Sequence, residues 1–189
     1  MMRFVCVGAV MIASSTLAAT GVLAAGPGAT PVIAEITADL DGDGVPDRAV
    51  LADADSEVGL AVYLSVGGRL PAEPTVYNPA IGWSGGIAGQ TPALTVNARG
   101  ALVAVFENAS VGRNRWSQRL TIAFRKGELV VAGYTYAARD TLDPKGGGNC
   151  DINFLSGKGT RNGKTVTVSS GPVPLAAWSD QSIPAACTF

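Results

Sequence analysis

Glycine and proline interrupt this chain so often that its apolar runs stay short. The 189 residues include 24 glycines and 11 prolines, which is above the usual share of both. Short apolar runs between turn-forming residues are typical of β-strands, whereas a helix needs a longer uninterrupted stretch. The one candidate for a helix is a short segment near residues 175–180. The sequence therefore predicts an all-β domain.

The segment 116–124 has the clearest strand pattern. Its alternate residues Trp116, Leu120 and Ile122 fall on one side, while Arg115 and Arg119 fall on the other. A strand with one buried face and one solvated face requires this alternation.

Three stretches are typical of hairpins, because each joins two strand-like runs through a glycine-containing turn: 93–107, 116–136 and 152–169. Residues 71–92 are rich in proline and glycine, which predicts a long irregular connection. We expect antiparallel hairpins that form a sandwich or an open barrel, and not a complete propeller.

The N-terminus has the three parts of a secretory signal. Arg3 supplies a positive start, residues 4–25 are apolar or small, and Ala24 and Ala25 offer a small-residue cleavage site. We expect residues 1–25 to be removed as a signal peptide and residues 26–189 to form a single β domain. An uncleaved anchor is the alternative, but no basic stop follows the segment. The mature protein is then periplasmic or secreted, without stable insertion in the membrane.

Two cysteines remain after signal removal, because Cys6 leaves with the signal. In an oxidising compartment the pair Cys150 and Cys187 predicts a disulfide, and two free buried thiols are the alternative. The formal net charge of −1 lacks the basic excess of a nucleic-acid-binding domain. The chain contains no histidine, which excludes Ser-His-Asp and Cys-His catalysis and histidine-ligated zinc.

The strongest chemical signal is a nine-residue acidic segment, 39–47. Its aspartates occupy alternating positions, so their carboxylates converge when the backbone wraps a cation, and Gly44 at the sixth position permits the sharp turn. An acidic, solvated turn is the alternative, although its aspartates would repel one another without a counter-ion. The predicted ligands are four side chains and the carbonyl of the residue at position seven: Asp39, Asp41, Asp43, Val45 and Asp47.

Calcium suits this segment better than magnesium, which usually retains several waters. The twelfth position is Val50 instead of the bidentate glutamate of an EF-hand, and residues 48–52 are strand-like instead of helical. The sequence therefore predicts a Ca²⁺ loop between two strands, with an affinity on the order of 0.1–1 mM.

Residues 38–47, Ala-Asp-Leu-Asp-Gly-Asp-Gly-Val-Pro-Asp, resemble the calcium loop of FG-GAP/VCBS-type repeats. Such loops occur in integrin-like propellers and in many exported bacterial proteins, and the resemblance implies the same five ligands. A propeller needs several blades of this kind, whereas this chain carries one such loop. Segments 113–136 and 151–159 more loosely resemble uncharacterised exported bacterial β-sheet proteins, which implies no known activity.

Two classes of function remain open. The first is an exported calcium-binding β domain with a non-enzymatic binding or envelope role, whose partner is a glycan or an envelope protein. The second is a carboxylate- or calcium-dependent polysaccharide hydrolase, with Glu107, Asp140 and Asp151 as candidate acids.

Two further features could form a binding surface. Trp83 could stack on a sugar ring, or it could serve as a buried anchor for its loop. Arg113, Arg115 and Arg119 could bind anionic groups, or they could form a solvated face that pairs with acids such as Asp140.

Overall fold

The computed structural model describes residues 31–54, 57–169 and 171–189. These residues form two antiparallel β-sheets, and none of them lies in an α-helix. In the described part of the chain neither sheet closes into a barrel, and no helical turn is long or apolar enough to span a membrane. The predicted signal peptide, residues 1–25, lies outside the described residues. The all-β prediction is confirmed.

The first sheet is a meander of four consecutive strands. They are β1 (Val32–Ala38), β2 (Asp47–Ala54), β3 (Glu57–Tyr63) and β4 (Val76–Trp83). The acidic segment predicted to bind calcium connects β1 to β2.

The second sheet contains eight strands. They are β5 (Ala93–Val96), β6 (Leu102–Asn108), β7 (Asn114–Arg125), β8 (Glu128–Asp140), β9 (Gly147–Asn153), β10 (Lys158–Arg161), β11 (Lys164–Thr167) and β12 (Val173–Pro174). Strands β5 to β11 follow one another across the sheet, and β12 pairs with the first half of β8. The chain then ends in three 3₁₀ turns: Leu175–Ala177, Asp180–Ser182 and Ala185–Cys187.

Two of the connections expected from the sequence contain strands instead. The stretch 71–92 includes β4, and the glycine-containing turn of the hairpin expected at 152–169 includes β10. Strand β4 lies at the edge of its sheet, where Pro79 is tolerated because no further ladder hydrogen bond is needed there. Strand β10, Lys-Gly-Thr-Arg, has no buried residue, so it lacks the apolar alternation that identifies a strand. The short helix expected near 175–180 is not an α-helix, because residues 175–177 form a 3₁₀ turn and a second 3₁₀ turn begins at Asp180.

The two sheets share one hydrophobic core, as in a sandwich. Leu51, Leu60 and Ile81 of the first sheet belong to the same buried cluster as Phe106 and Leu120 of the second. The sheets approach closely at Gly82 and Phe106: a Cβ atom added to Gly82 would lie 2.6 Å from the Phe106 ring. Glycine is required here because a larger residue would push the sheets apart.

The C-terminal tail is fixed to both sheets. The disulfide between Cys150 of β9 and Cys187 forms as predicted, and it joins residues 37 positions apart. On the first sheet, the buried amide of Asn78 donates hydrogen bonds to the carbonyl oxygens of Leu175 and Trp178, at 2.8 and 2.9 Å. The tail is therefore held by one covalent bond and by buried polar contacts.

Gly82→Ala should lower the free energy of unfolding by about 1–3 kcal/mol, because the new methyl group overlaps the Phe106 ring in a packed core. Urea denaturation measures this change. Gly86→Ala is the matched control, since a Cβ there meets no atom within 4 Å, and we expect it to change stability by less than about 0.5 kcal/mol. Equal stabilities of the two variants would contradict the close packing of the sheets.

Reduction of the Cys150–Cys187 disulfide should lower the free energy of unfolding by about 4 kcal/mol, because the reduced chain regains the entropy of an open loop when it unfolds. Urea denaturation with and without a phosphine reductant measures the difference. The double variant Cys150→Ser, Cys187→Ser is the control, and the reductant should leave its midpoint unchanged. An unchanged midpoint in the parent protein would refute the prediction.

Candidate functional site

The acidic loop, residues 39–46, is held closed at its base. Ala38 and Asp47 are directly paired in the antiparallel register of β1 and β2, so the two ends of the loop lie side by side. Leu40 points away from solvent and joins the shared hydrophobic core, with 6% of its surface exposed. The loop is therefore attached to the domain by strand pairing and by one apolar side chain.

Asp47 is fully buried, and both of its carboxylate oxygens accept hydrogen bonds from backbone N–H groups. Oδ2 accepts from the N–H of Leu40 and Oδ1 accepts from the N–H of Ser65, each at 2.8 Å. The Ser65 hydroxyl in turn donates to the carbonyl oxygen of Pro46 at 2.6 Å. A buried carboxylate with these partners ties the acidic loop to the segment that follows β3.

The three remaining aspartates converge. One carboxylate oxygen from each of Asp39, Asp41 and Asp43 lies within 4.8 Å of the others. The Asp39 carboxylate accepts hydrogen bonds from the N–H groups of Gly42 and Gly44, at 2.7 and 3.0 Å. Gly44 has a φ of +85°, the left-handed region that the sharp turn at the sixth position demands. The loop thus holds its acidic side chains on one side by its own hydrogen bonds.

The crowding of carboxylates changes their proton affinity. Burial raises the pKa of Asp41, and the negative charges of Asp47, Asp43 and Asp39 raise it further. These charges oppose one another, and a bound cation would offset their repulsion.

This donor set fits calcium. Oxygen atoms that bind one Ca²⁺ at about 2.4 Å must lie within about 4.8 Å of one another, and all the donors here are hard carboxylate oxygens. Three carboxylates provide part of a coordination shell that usually contains six to eight oxygens. Backbone carbonyls and water complete such shells in known sites.

The ligand roles of Val45 and Asp47 stay predictions. The Val45 N–H donates to Asp43 Oδ1 at 2.7 Å, and Asp47 lies outside the group of three converging carboxylates. Sequence reasoning missed the anchoring contacts of this site. Leu40 could have been noticed as an apolar residue among aspartates, whereas no sequence signal identifies Ser65 as a partner of Asp47.

The arginines named from the sequence have different surroundings. Arg113 forms an ion pair with Asp140, at 2.8 Å from Nε to Oδ2, and this hydrogen bond lowers the pKa of Asp140. Arg115 lies opposite Arg139 in the register of β7 and β8. Arg119 is exposed. The plainer interpretation, pairing with Asp140, therefore holds for Arg113.

The candidate catalytic acids Asp140 and Asp151 have different hydrogen-bond partners. Asp140 is held by Arg113, and Asp151 accepts a hydrogen bond from the Thr135 hydroxyl at 2.9 Å. Glu107 lies opposite Ser117 on the neighbouring pair of strands.

Trp83 is the last residue of β4 and is paired with Glu57 of β3. It is 37% exposed, and its ring centroid lies 5.7 Å from that of Trp116. The expectation that Trp83 is a buried loop anchor is wrong, because the residue belongs to an edge strand and stays partly open to solvent.

No protein-family model matches the chain, and no curated protein or solved structure matches it either. The likeness to FG-GAP/VCBS-type repeats therefore concerns one loop, and it identifies no family.

Asp47→Asn should lower the free energy of unfolding by about 3 kcal/mol in chelator, where no metal contributes. The variant loses a charged acceptor, and its amide N–H₂ faces one of the two buried N–H donors. Urea denaturation measures the change. Asp43→Asn, at an exposed loop position, is the control and should lose less than about 1 kcal/mol in chelator. A loss confined to calcium-containing buffer would instead make Asp47 mainly a metal ligand.

Proposed function

We propose that this protein is an exported, calcium-stabilised β domain that acts by binding, in the cell envelope or outside the cell. The observation that carries the proposal is the convergence of Asp39, Asp41 and Asp43 in a loop whose base is anchored by Leu40 and Asp47. A calcium ion bound there neutralises the cluster and fixes the loop between β1 and β2.

The ligand set that we propose combines three carboxylates with the Val45 carbonyl and Asp47. The resemblance of residues 38–47 to FG-GAP/VCBS-type loops supports this set. An affinity on the order of 0.1–1 mM suits the calcium concentrations at which extracellular modules operate.

Export is supported by the chemistry of the cysteines. The disulfide between Cys150 and Cys187 is typical of proteins that work in an oxidising, extracytoplasmic compartment. We propose that residues 1–25 are removed as a signal peptide and that residues 26–189 form the mature protein in the periplasm or the medium.

A binding role is favoured over hydrolysis by the state of the candidate acids. The general acid of a glycosidase needs a raised pKa and a second carboxyl at a defined separation. The pKa of Asp140 is instead lowered by its hydrogen bond to Arg113, and Asp151 is bonded to Thr135.

Calorimetric titration of calcium into chelator-treated mature protein should give heat that fits one site per chain and saturates at millimolar calcium, as an affinity of about 0.1–1 mM requires. At 10 mM calcium, an affinity in the proposed range stabilises the fold by about 1.4–2.7 kcal/mol, which raises the melting temperature by about 3–10 °C.

The double variant Asp41→Ala, Asp43→Ala is the control and should lose both the heat and the shift in melting temperature. Magnesium at the same concentration should give a smaller shift, because it retains its waters. The proposal fails if the parent protein shows neither heat nor a shift.

A further inference from the structure

An aromatic groove of about 760 Å³ lies between the first sheet, the β7–β8 hairpin and the C-terminal tail. We use the term for the cleft whose aromatic lining is formed by Trp83, Trp116, Tyr134, Tyr136 and Phe189.

The groove continues the alternation that builds the core. On β7, Leu120 and Ile122 are buried. Trp116 and Gln118 lie on the same side of the strand, nearer its start, and line the groove. The inward face of β7 is therefore filled by the core at one end and open to the groove at the other.

The rings form a continuous row. Centroid distances are 5.7 Å from Trp83 to Trp116, 6.4 Å from Trp116 to Tyr136 and 6.2 Å from Tyr136 to Phe189. The last two pairs have planes within 24° and 11° of parallel. Phe189 is 46% exposed. Aromatic side chains beside a few polar groups in a cleft are typical of the pockets that bind small ligands.

The tail side of the groove is held in place before any ligand arrives. The Arg161 guanidinium carbon lies 4.5 Å from the centroid of the Phe189 ring. The same guanidinium donates hydrogen bonds to the carbonyl oxygens of Ala186 and Thr188, at 2.8 and 3.0 Å. The disulfide at Cys187 fixes the chain two residues before Phe189. Binding therefore costs little ordering of this wall.

Polar groups lie between the rings. Gln118, Glu57 and Asp180 line the groove, and none of the described lining residues is lysine or arginine. Two carboxylates without a cation disfavour an anionic ligand. A wholly apolar ligand would also leave these polar groups without partners.

We propose that the aromatic groove binds an oligosaccharide that carries no negative charge. Sugar rings have apolar C–H faces that pack against Trp83, Trp116 and Tyr136, and hydroxyl groups that bond to Gln118, Glu57 and Asp180. An organic cation is disfavoured because a cation site surrounds one point with rings. These rings instead form a row, in which Trp83 is tilted by 55° from Trp116 and the following rings are nearly parallel. The inference rests on the binding role proposed above but not on calcium.

The test is titration of the mature protein with uncharged hexasaccharides of β-1,4-glucose, α-1,4-glucose and β-1,4-N-acetylglucosamine. Tryptophan fluorescence is the readout, because two of the three tryptophans line the groove and Trp178 is buried. We expect at least one of the three to bind saturably and to change the emission.

Trp83→Ala should weaken that binding by about tenfold or more, through loss of one aromatic contact and its buried area. Tyr77→Ala is the matched control: Tyr77 is an exposed aromatic residue of the same strand that does not line the groove, and its loss should leave the affinity unchanged. Circular dichroism and urea denaturation show whether both variants fold. Glu57→Gln, at an exposed position, provides a second variant that removes only a charge and should weaken binding less than Trp83→Ala does.

Oligogalacturonate and tetramethylammonium complete the panel. The proposal would be overturned if either of these compounds binds and none of the uncharged hexasaccharides does. Equal effects of Trp83→Ala and Tyr77→Ala would also overturn it. A protein that binds calcium but no hexasaccharide refutes the groove proposal alone, and one that binds a hexasaccharide but no calcium refutes the calcium proposal alone. Release of new reducing ends, lost in Trp83→Ala, would support the sugar site and refute the non-enzymatic role.

Discussion

The inward face of the β7–β8 hairpin contributes residues to both the hydrophobic core and the aromatic groove. These are the longest strands of the domain, at 12 and 13 residues, and the first sheet packs over the half of the face that carries Leu120 and Ile122. The other half carries Trp116 and Tyr136 and is left open. Side chains of β7 alternate with period two, and its pairing with β8 shifts by one residue between Thr121 and Ile122. This shift keeps Val131 and Tyr134 of β8 in the same hydrophobic core. A one-residue slip of this pairing would destroy the core and the groove together.

Buried polar groups then determine how the remaining segments attach to that frame. Asp47 joins the acidic loop to Ser65, and Asn78 joins β4 to the C-terminal turns at Leu175 and Trp178. Both side chains are nearly or fully excluded from solvent, with 0% and 2% exposed. A buried group of this kind destabilises the fold if its partners are missing, so each one selects a single placement for the segment it holds. Apolar contacts alone would allow the loop and the tail more than one position.

The sequence predicted those features that depend on local pattern. The alternation from Trp116 to Phe124 predicted β7, and the spacing of Asp39, Asp41 and Asp43 predicted a loop in which three carboxylates meet. Strand β4 could not be predicted, because Pro79 and Gly82 are typical of loops. Pro79 is tolerated because β4 lies at the edge of its sheet, and Gly82 fits because the Phe106 ring lies against it. The groove could not be predicted either, since it unites residues as distant in the chain as Trp83 and Phe189.

The acidic loop and the aromatic groove are built from separate parts of the domain. In the described part of the chain no residue of the loop lines the groove, and the tail side of the groove is held by the disulfide and by Arg161. A ligand at one site can affect the other only if it changes the relative stability of conformations that differ there. Calcium bound at the loop, as proposed, would therefore act on the groove through the stability of the whole fold. Its effect on sugar affinity should be small wherever the calcium-free domain stays folded, and it becomes large only near the melting temperature.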